Sequence, residues 1–191
     1  MLEPLLQSLG WESIGLVYSK RAVQAARRAN ALSAIEKLCR VSFQAPSAHM
    51  PMNECVDLAM AMSAEHFDGV IVLGGGSAID AVKIAQVVLG LHMRSIDELE
   101  TQAASGLVLG PSFAPPFEAI AIPPTLSAAE HGSLAGVTSP LTKRKYVVKG
   151  PRLDARAVIL DSKLAMQTPR DHWVASGLRA VDHAIEGYLS K

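Results

Sequence analysis

The 191 residues include 18 Lys and Arg against 18 Asp and Glu, a formal net charge of zero, and 49% of them are hydrophobic. Such a chain can bury a sizeable core, and its balanced charge excludes the basic field that draws a protein to nucleic acid or to an anionic membrane. Two cysteines, Cys39 and Cys55, stand without metal-ligand spacing and make no disulfide framework, which points to a reducing compartment.

The first residues have an early acid, Glu3, and no basic leader, and no apolar run reaches membrane-spanning length before a charge such as Lys83 interrupts it. A soluble, cytoplasmic protein with a small-molecule substrate is expected, without nucleic-acid or membrane partners. Leu2 to Leu9 predicts a short helix stopped by Gly10, and Ile14 to Tyr18 a strand ending in Ser19-Lys20-Arg21. Alanine-rich residues from Ala22 to Leu38 have helical spacing, with Val23, Ala26, Leu32, Ile35 and Leu38 on one side. Arg40 to Gln44 predicts a second strand, and Asn53 is placed to cap a helix running to His66.

The organising stretch follows, from Phe67 to Asp80. Val70, Ile71, Val72 and Leu73 are too few for a helix and are bounded by glycine, which suits a central parallel strand buried on both faces. Gly74, Gly75, Gly76 and Ser77 then make a tight turn, and Ala78, Ile79, Val82, Ala85, Val87 and Val88 restart as a helix. Three glycines remove every Cβ from the turn, so backbone N–H groups can approach an anion beside the positive end of a helix. Neither the dinucleotide fingerprint, which wants a glycine where Ile79 stands, nor a P-loop is spelled out. The plainer alternative is tight helix packing, with Ser77 as N-cap and Asp80 closing a capping box.

Beyond this helix, Ser95 to Glu98 has the capping-box pattern of a short helix, and Thr101 to Pro116 reads as a loop. Phe117 to Ile122 predicts a fourth strand, leading into Pro123-Pro124-Thr125-Leu126-Ser127-Ala128-Ala129-Glu130, small and polar residues where open α/β sheets place ligands. Val137 to Ser139 and Lys145 to Lys149 predict an antiparallel ribbon, Ala157 to Asp161 a further strand, and Pro169 the opening of a last helix. Strands alternating with helices predict a parallel, doubly wound α/β sheet. In the last helix Val174, Leu178, Val181, Ile185 and Leu189 form an apolar stripe, beside a polar stripe of Arg179, His183, Glu186 and Ser190. The apolar stripe is expected to meet a missing segment of a larger protein or a partner subunit, as in a homodimer.

Gly74 to Asp80, Ile122 to Glu130, Lys145-Tyr146, Ile159 to Asp161 and Asp182 to Ser190, in that order, resemble the landmarks of the iron-containing alcohol dehydrogenase family. The spacing from Pro123 to Glu130 is most similar to its maleylacetate reductase branch. The resemblance implies a Rossmann-like dinucleotide-binding domain over residues 1–168 and, over 169–191, the first helix of a truncated helical domain. It implies NAD or NADP as cofactor, with Gly74, Gly75, Gly76 and Ser77 at the pyrophosphate and Asp80 toward the nicotinamide. Thr125 and Ser127 then contact the nicotinamide half, and Lys145 reaches toward the ribose. The family's adenosine-ribose acid falls near Ser19, where no carboxylate stands, so NADP is permitted.

Metal-bearing members of the family carry an Asp one helical turn before a His, where this chain has Arg179 before His183. A guanidinium does not ligate a cation, so iron or zinc is doubtful and no metal site is expected. Arg179 is instead expected to meet a substrate carboxylate, and His183 to polarise the carbonyl, as the catalytic pair. Three function classes follow: an NAD(P)-dependent oxidoreductase on a small carbonyl or carboxylate-bearing substrate, a dehydroquinate synthase-type lyase, and a catalytically silent nucleotide-binding domain. The lyase needs a metal, against which Arg179 weighs.

Overall fold

The computed structural model describes residues 2–190, the side chain of His183 excepted. In chain order the elements begin α1 (Leu2–Leu9), β1 (Ile14–Tyr18), α2 (Lys20–Arg28), α3 (Leu32–Glu36), β2 (Val41–Gln44), α4 (Met52–Ser63) and β3 (Gly69–Leu73). There follow α5 (Gly76–Gly90), α6 (Ile96–Ala104), β4 (Glu118–Ile122), a 3-10 turn (Ala129–His131), β5 (Leu134–Thr138) and β6 (Lys145–Lys149). The last are β7 (Ala157–Val158), α7 (Ser162–Ala165) and α8 (Arg170–Leu189).

Five strands lie in the order β2-β1-β3-β4-β7, with every neighbouring pair parallel. All of β3 is buried, and its side chains alternate between two cores, as the period of a strand requires. Val70 and Val72 join the core built on α4, α5 and α6, while Ile71 and Leu73 join the one built on α1, α2, α3 and α7. β4 repeats the pattern, Ala119 and Ala121 facing one core and Ile120 and Ile122 the other. A strand sandwiched between two helical layers is therefore apolar throughout, and the parallel doubly wound sheet expected from the sequence is the one observed.

α5 is buried on nearly every side from Ala78 to Val88. Its outer face lies under β5, one strand of a ribbon in which β5 and β6 pair antiparallel from Leu134 opposite Lys149 to Thr138 opposite Lys145. A helix covered by a sheet on one side and a ribbon on the other has no solvated face, which explains its apolar composition. Each fully buried Val or Ile in it contributes about 1.5–3 kcal/mol.

Several boundaries differ from the sequence expectation. The helix expected over Ala22 to Leu38 divides into α2 and α3 because Asn30 takes a left-handed φ of 56°. There Asn30 N–H donates to Arg27 O at 3.1 Å and Ala31 N–H to Ala26 O at 2.9 Å, which closes α2 in a Schellman motif. α4 starts one residue before Asn53, with Pro51 rather than Asn53 at the cap, and ends at Ser63 rather than His66. The strand expected from Ala157 to Asp161 is confined to its first two residues, and Asp161 instead caps α7, accepting from the N–H groups of Lys163 at 2.8 Å and Leu164 at 3.2 Å.

The strand order reverses between β1 and β3, so the loops leaving their carboxyl ends diverge and open a crevice, the usual ligand position in such sheets. Ser19 N–H donates to Leu73 O at 3.0 Å, which sets the start of α2 beside the glycine turn. At the other end, Asp68 accepts from Ser13 N–H at 2.9 Å and Glu12 N–H at 2.8 Å, joining the entries of β1 and β3. These bonds, Ser13 first, hold the Asp68 carboxyl below its ordinary range. Its stabilisation is thus fully present above the unfolded carboxylate value and is lost as pH falls through the lower folded one. In urea melts taken below about pH 4, Asp68→Asn is expected to lessen the loss of stability with acid; an acid limb as steep as the wild type's would contradict the linkage.

Candidate functional site

The glycine turn at the carboxyl end of β3 is shaped by space rather than by dihedral angle. None of its three glycines takes a positive φ. A Cβ at Gly74 would lie 2.5 Å from that of Ala78, one at Gly75 would lie 2.7 Å from Thr125 Oγ1, and one at Gly76 would lie 3.0 Å from Ser127 Oγ. Three missing methyl groups therefore let α5 turn back on its own entry and let the loop after β4 lie against the turn.

The N–H groups divide the same residues differently. Gly74 is buried and donates to Ile122 O at 3.4 Å, so it belongs to the sheet and is not an outward donor, contrary to the expectation for the whole turn. Gly75 is the N-cap of α5 at φ −77° and ψ −168°, with no side-chain cap, so Ser77 is not the cap. Gly75, Gly76 and Ser77 present N–H groups that donate to no acceptor among the described residues. They are first-turn donors with no intrahelical partner, at the positive end of a 15-residue helix.

Against these donors lies an unmatched hydroxyl. Ser127 Oγ is buried without a hydrogen-bond partner among the described residues, and Thr125 stands beside it against Gly75. A buried polar group without a partner costs about 1–3 kcal/mol. Three free amides, an orphan hydroxyl and a cradle that any Cβ would fill together suit an anionic ligand with several acceptor oxygens.

Asp80, one turn along α5, points toward β5 and accepts from Gly136 N–H at 3.1 Å. Its carboxyl is raised by burial, against the opposing pull of the Gly136 bond, Lys83 and Lys145. Lys145 is exposed and its stem crosses the face of Gly136, where a Cβ would collide with Lys145 Cε. Asp80 and Lys145 thus flank one glycine of the ribbon, beyond the first turn of α5.

Lys83 and Glu130 belong to this neighbourhood and are not singled out by the sequence reading. Lys83 is 2% exposed, and its ammonium donates to the carbonyl oxygens of Ala129, Gly132 and Leu134. Burial lowers its pKa, and Asp80, Asp154 and Glu130 oppose that fall. Glu130 is 4% exposed, with Oε2 unpartnered among the described residues. The one cation of a largely apolar helix was the available signal for Lys83.

α8 approaches the same loop with its first half. Leu126 N–H donates to Ser176 Oγ at 3.1 Å, Thr168 Oγ1 donates to Pro124 O at 2.8 Å, and His172 meets Arg21 from the first turn of α2. Arg179 follows Ser176 by one turn, is exposed, and has no ion-pair partner among the described residues. The side chain of His183 lies outside the described residues. No three His, Cys, Asp or Glu side chains gather in a metal-binding group among those described. The Cys55 thiol, pushed up to about 12 chiefly by burial, is no nucleophile at neutral pH. No helix among the described residues is long and apolar enough to cross a membrane.

A family model described as iron-containing alcohol dehydrogenase matches residues 1–162. A dehydrogenase of Alternaria alternata is 35% identical over 144 residues, covering 74% of this chain and 37% of that protein. A maleylacetate reductase of Pseudomonas sp. (strain P51) is 32% identical over 146 residues, covering 76% of this chain and 33% of that protein. The sulfoacetaldehyde reductase of Bifidobacterium kashiwanohense, solved in complex with NAD+, has a TM-score of 0.83 at 21% identity, over 100% of this chain and 49% of that one. The chain thus spans little more than a third of these curated relatives and about half of the solved one. With a family match over most of its length, the chain belongs to the iron-containing alcohol dehydrogenase family.

Proposed function

We propose that this chain is the dinucleotide-binding part of an NAD(P)-dependent oxidoreductase acting on a small carbonyl substrate that bears a carboxylate. One observation carries this: the unpartnered N–H groups of Gly75, Gly76 and Ser77 converge with the orphan hydroxyl of Ser127 at the switch point of the sheet. The NAD+ held by the solved neighbour and the maleylacetate reductase among the relatives support the choice of cofactor and substrate class.

When bound, the nicotinamide supplies or accepts the hydride. The chain's own residues hold and orient. The three amides and the positive end of α5 take the diphosphate, Thr125 and Ser127 the nicotinamide half, and Lys145 the ribose, with Asp80 beside it. Arg179 offers its planar fork to the substrate carboxylate. His183, four residues further along α8, donates a hydrogen bond or a proton to the carbonyl oxygen. A cation at Arg179 and a metal ion at the same turn repel each other, so the site works without a Lewis acid, and iron or zinc is not required.

Ser19 follows β1 as the N-cap of α2, beside the glycine turn, and brings no carboxylate, while Lys20 and Arg21 follow it on the exposed first turn of α2. A 2′-phosphate meets no repulsion there, so NADP is accepted as well as NAD. Binding without turnover is the second reading, favoured by α8: none of its described side chains is buried, and Leu178 and Leu189 are 65% and 69% exposed. Consumption of NAD(P)H with maleylacetate-like keto acids separates the two.

In a nicotinamide fluorescence titration, Gly75→Val is expected to raise Kd by about tenfold or more, because the added side chain displaces Thr125; unchanged affinity would place the dinucleotide elsewhere. Ser19→Asp is expected to weaken NADPH about tenfold relative to NADH, and equal losses for both would show that Ser19 does not face the 2′ position. Titrated with iron or zinc, the purified protein is expected to show no stoichiometric tight binding. One tightly held ion per chain would overturn the metal-independent assignment.

A further inference from the structure

After the exposed Ser77, the polar residues of the largely apolar α5 are Asp80, Lys83 and Gln86, which recur every three positions along it. Gln86 Nε2 donates to Phe117 O at 2.8 Å, at the entry of β4. Lys83 donates to Ala129 O at 2.6 Å, to Leu134 O at 3.1 Å and to Gly132 O, and Asp80 accepts from Gly136 N–H. An ammonium has three donors, and three carbonyls take all of them. No carboxylate lies within ion-pair distance of Lys83 among the described residues.

The partners of Lys83 lie in the segment that returns from β4 to β5 and at the first residue of β5, and that of Asp80 lies two residues further along β5. The returning segment is irregular, with Ala128 at a left-handed φ of 57° and a single 3-10 turn at Ala129–His131. Much of its backbone is therefore anchored by one side chain rather than by a ladder. Ser127 precedes the first anchored carbonyl by two residues and lies against Gly76. The helix that offers the free amides thus also fixes the loop that brings the hydroxyl to them.

We infer that Lys83 is a positioning residue of the dinucleotide site: by pinning the carbonyls of Ala129, Gly132 and Leu134, it keeps Ser127 against Gly76 and the free amides. This rests on the proposed nicotinamide function. Lys83→Met keeps the stem and removes the donors, with Lys83→Gln as the replacement should the Met variant not fold. Kd for NADH is measured on folded wild type, Lys83→Met, Ser127→Ala and the double variant, with hydrogen exchange followed by peptide in the absence of cofactor.

Lys83→Met is expected to raise Kd about tenfold, with the double variant no weaker than Lys83→Met alone, because both changes remove the same hydroxyl from the site. Exchange is expected to accelerate over residues 125–136 while β1 and α4 keep their protection. A Kd within about twofold of wild type, or losses that multiply in the double variant, would overturn the inference. Should wild type bind neither dinucleotide, the functional proposal fails by itself and exchange decides the role of Lys83: local acceleration sustains the pin, and unchanged or uniform exchange refutes it.

Discussion

Three absent β-carbons govern the carboxyl edge of this sheet. At Gly74 the space goes to Ala78, which brings α5 back close over the end of β3; at Gly75 and Gly76 it goes to Thr125 and Ser127. The loop after β4 consequently rests on the turn after β3, and the two are a single surface. Larger residues in the turn would push the loops apart, leaving the amides of Gly75, Gly76 and Ser77 without the hydroxyls that face them. Each donor is weak alone, but charge-assisted hydrogen bonds to a diphosphate are about twice as strong as neutral ones, and the helix end adds to them.

The surface holds its shape because α5 is buried between the sheet and the β5-β6 ribbon. Burying a helix on all sides removes its freedom to move relative to its neighbours, and its few polar residues then act as fixed points. Lys83 is costly to bury, as the direction of its pKa shows, and that cost is offset by its bonds to three carbonyls of a segment with little ladder of its own, where Ala129 O accepts besides only from Gly132 N–H, at 3.4 Å, among the described residues. α8 is held more lightly, through Ser176, the contact of His172 with Arg21 and, just before its start, Thr168. The edge proposed for the cofactor rests on a helix packed on nearly every side, while α8, proposed to meet the substrate, is the more exposed part of the crevice.

The sheet was legible because buried parallel strands leave short apolar runs between glycines, as in Val70 to Leu73, and because alternation with helices admits few arrangements. The turn was legible as a place where main-chain donors are left free, but the duties of its glycines were not, since Gly74 and Gly75 look alike until the neighbours of their missing Cβ atoms are known. Asn30 ends a helix through a left-handed φ that alanine-rich spacing does not reveal. Lys83 reads as an interruption of an apolar run, because its partners are main-chain carbonyls from 46 to 51 residues away and carry no side-chain signature. Arg179 was visible by its place before His183, yet the packing of α8 supplies little that fixes its direction.

The amide signals of Gly75, Gly76 and Ser77 in a nitrogen–proton correlation spectrum, followed while NADH is added, test the central claim most directly. Those three are expected to move downfield together and saturate with the Kd found by fluorescence, as free donors do on meeting an anion, while Gly74 moves little because its N–H is already bonded to Ile122. Saturable binding that leaves the three unmoved, or shifts Gly74 alone, would contradict the account.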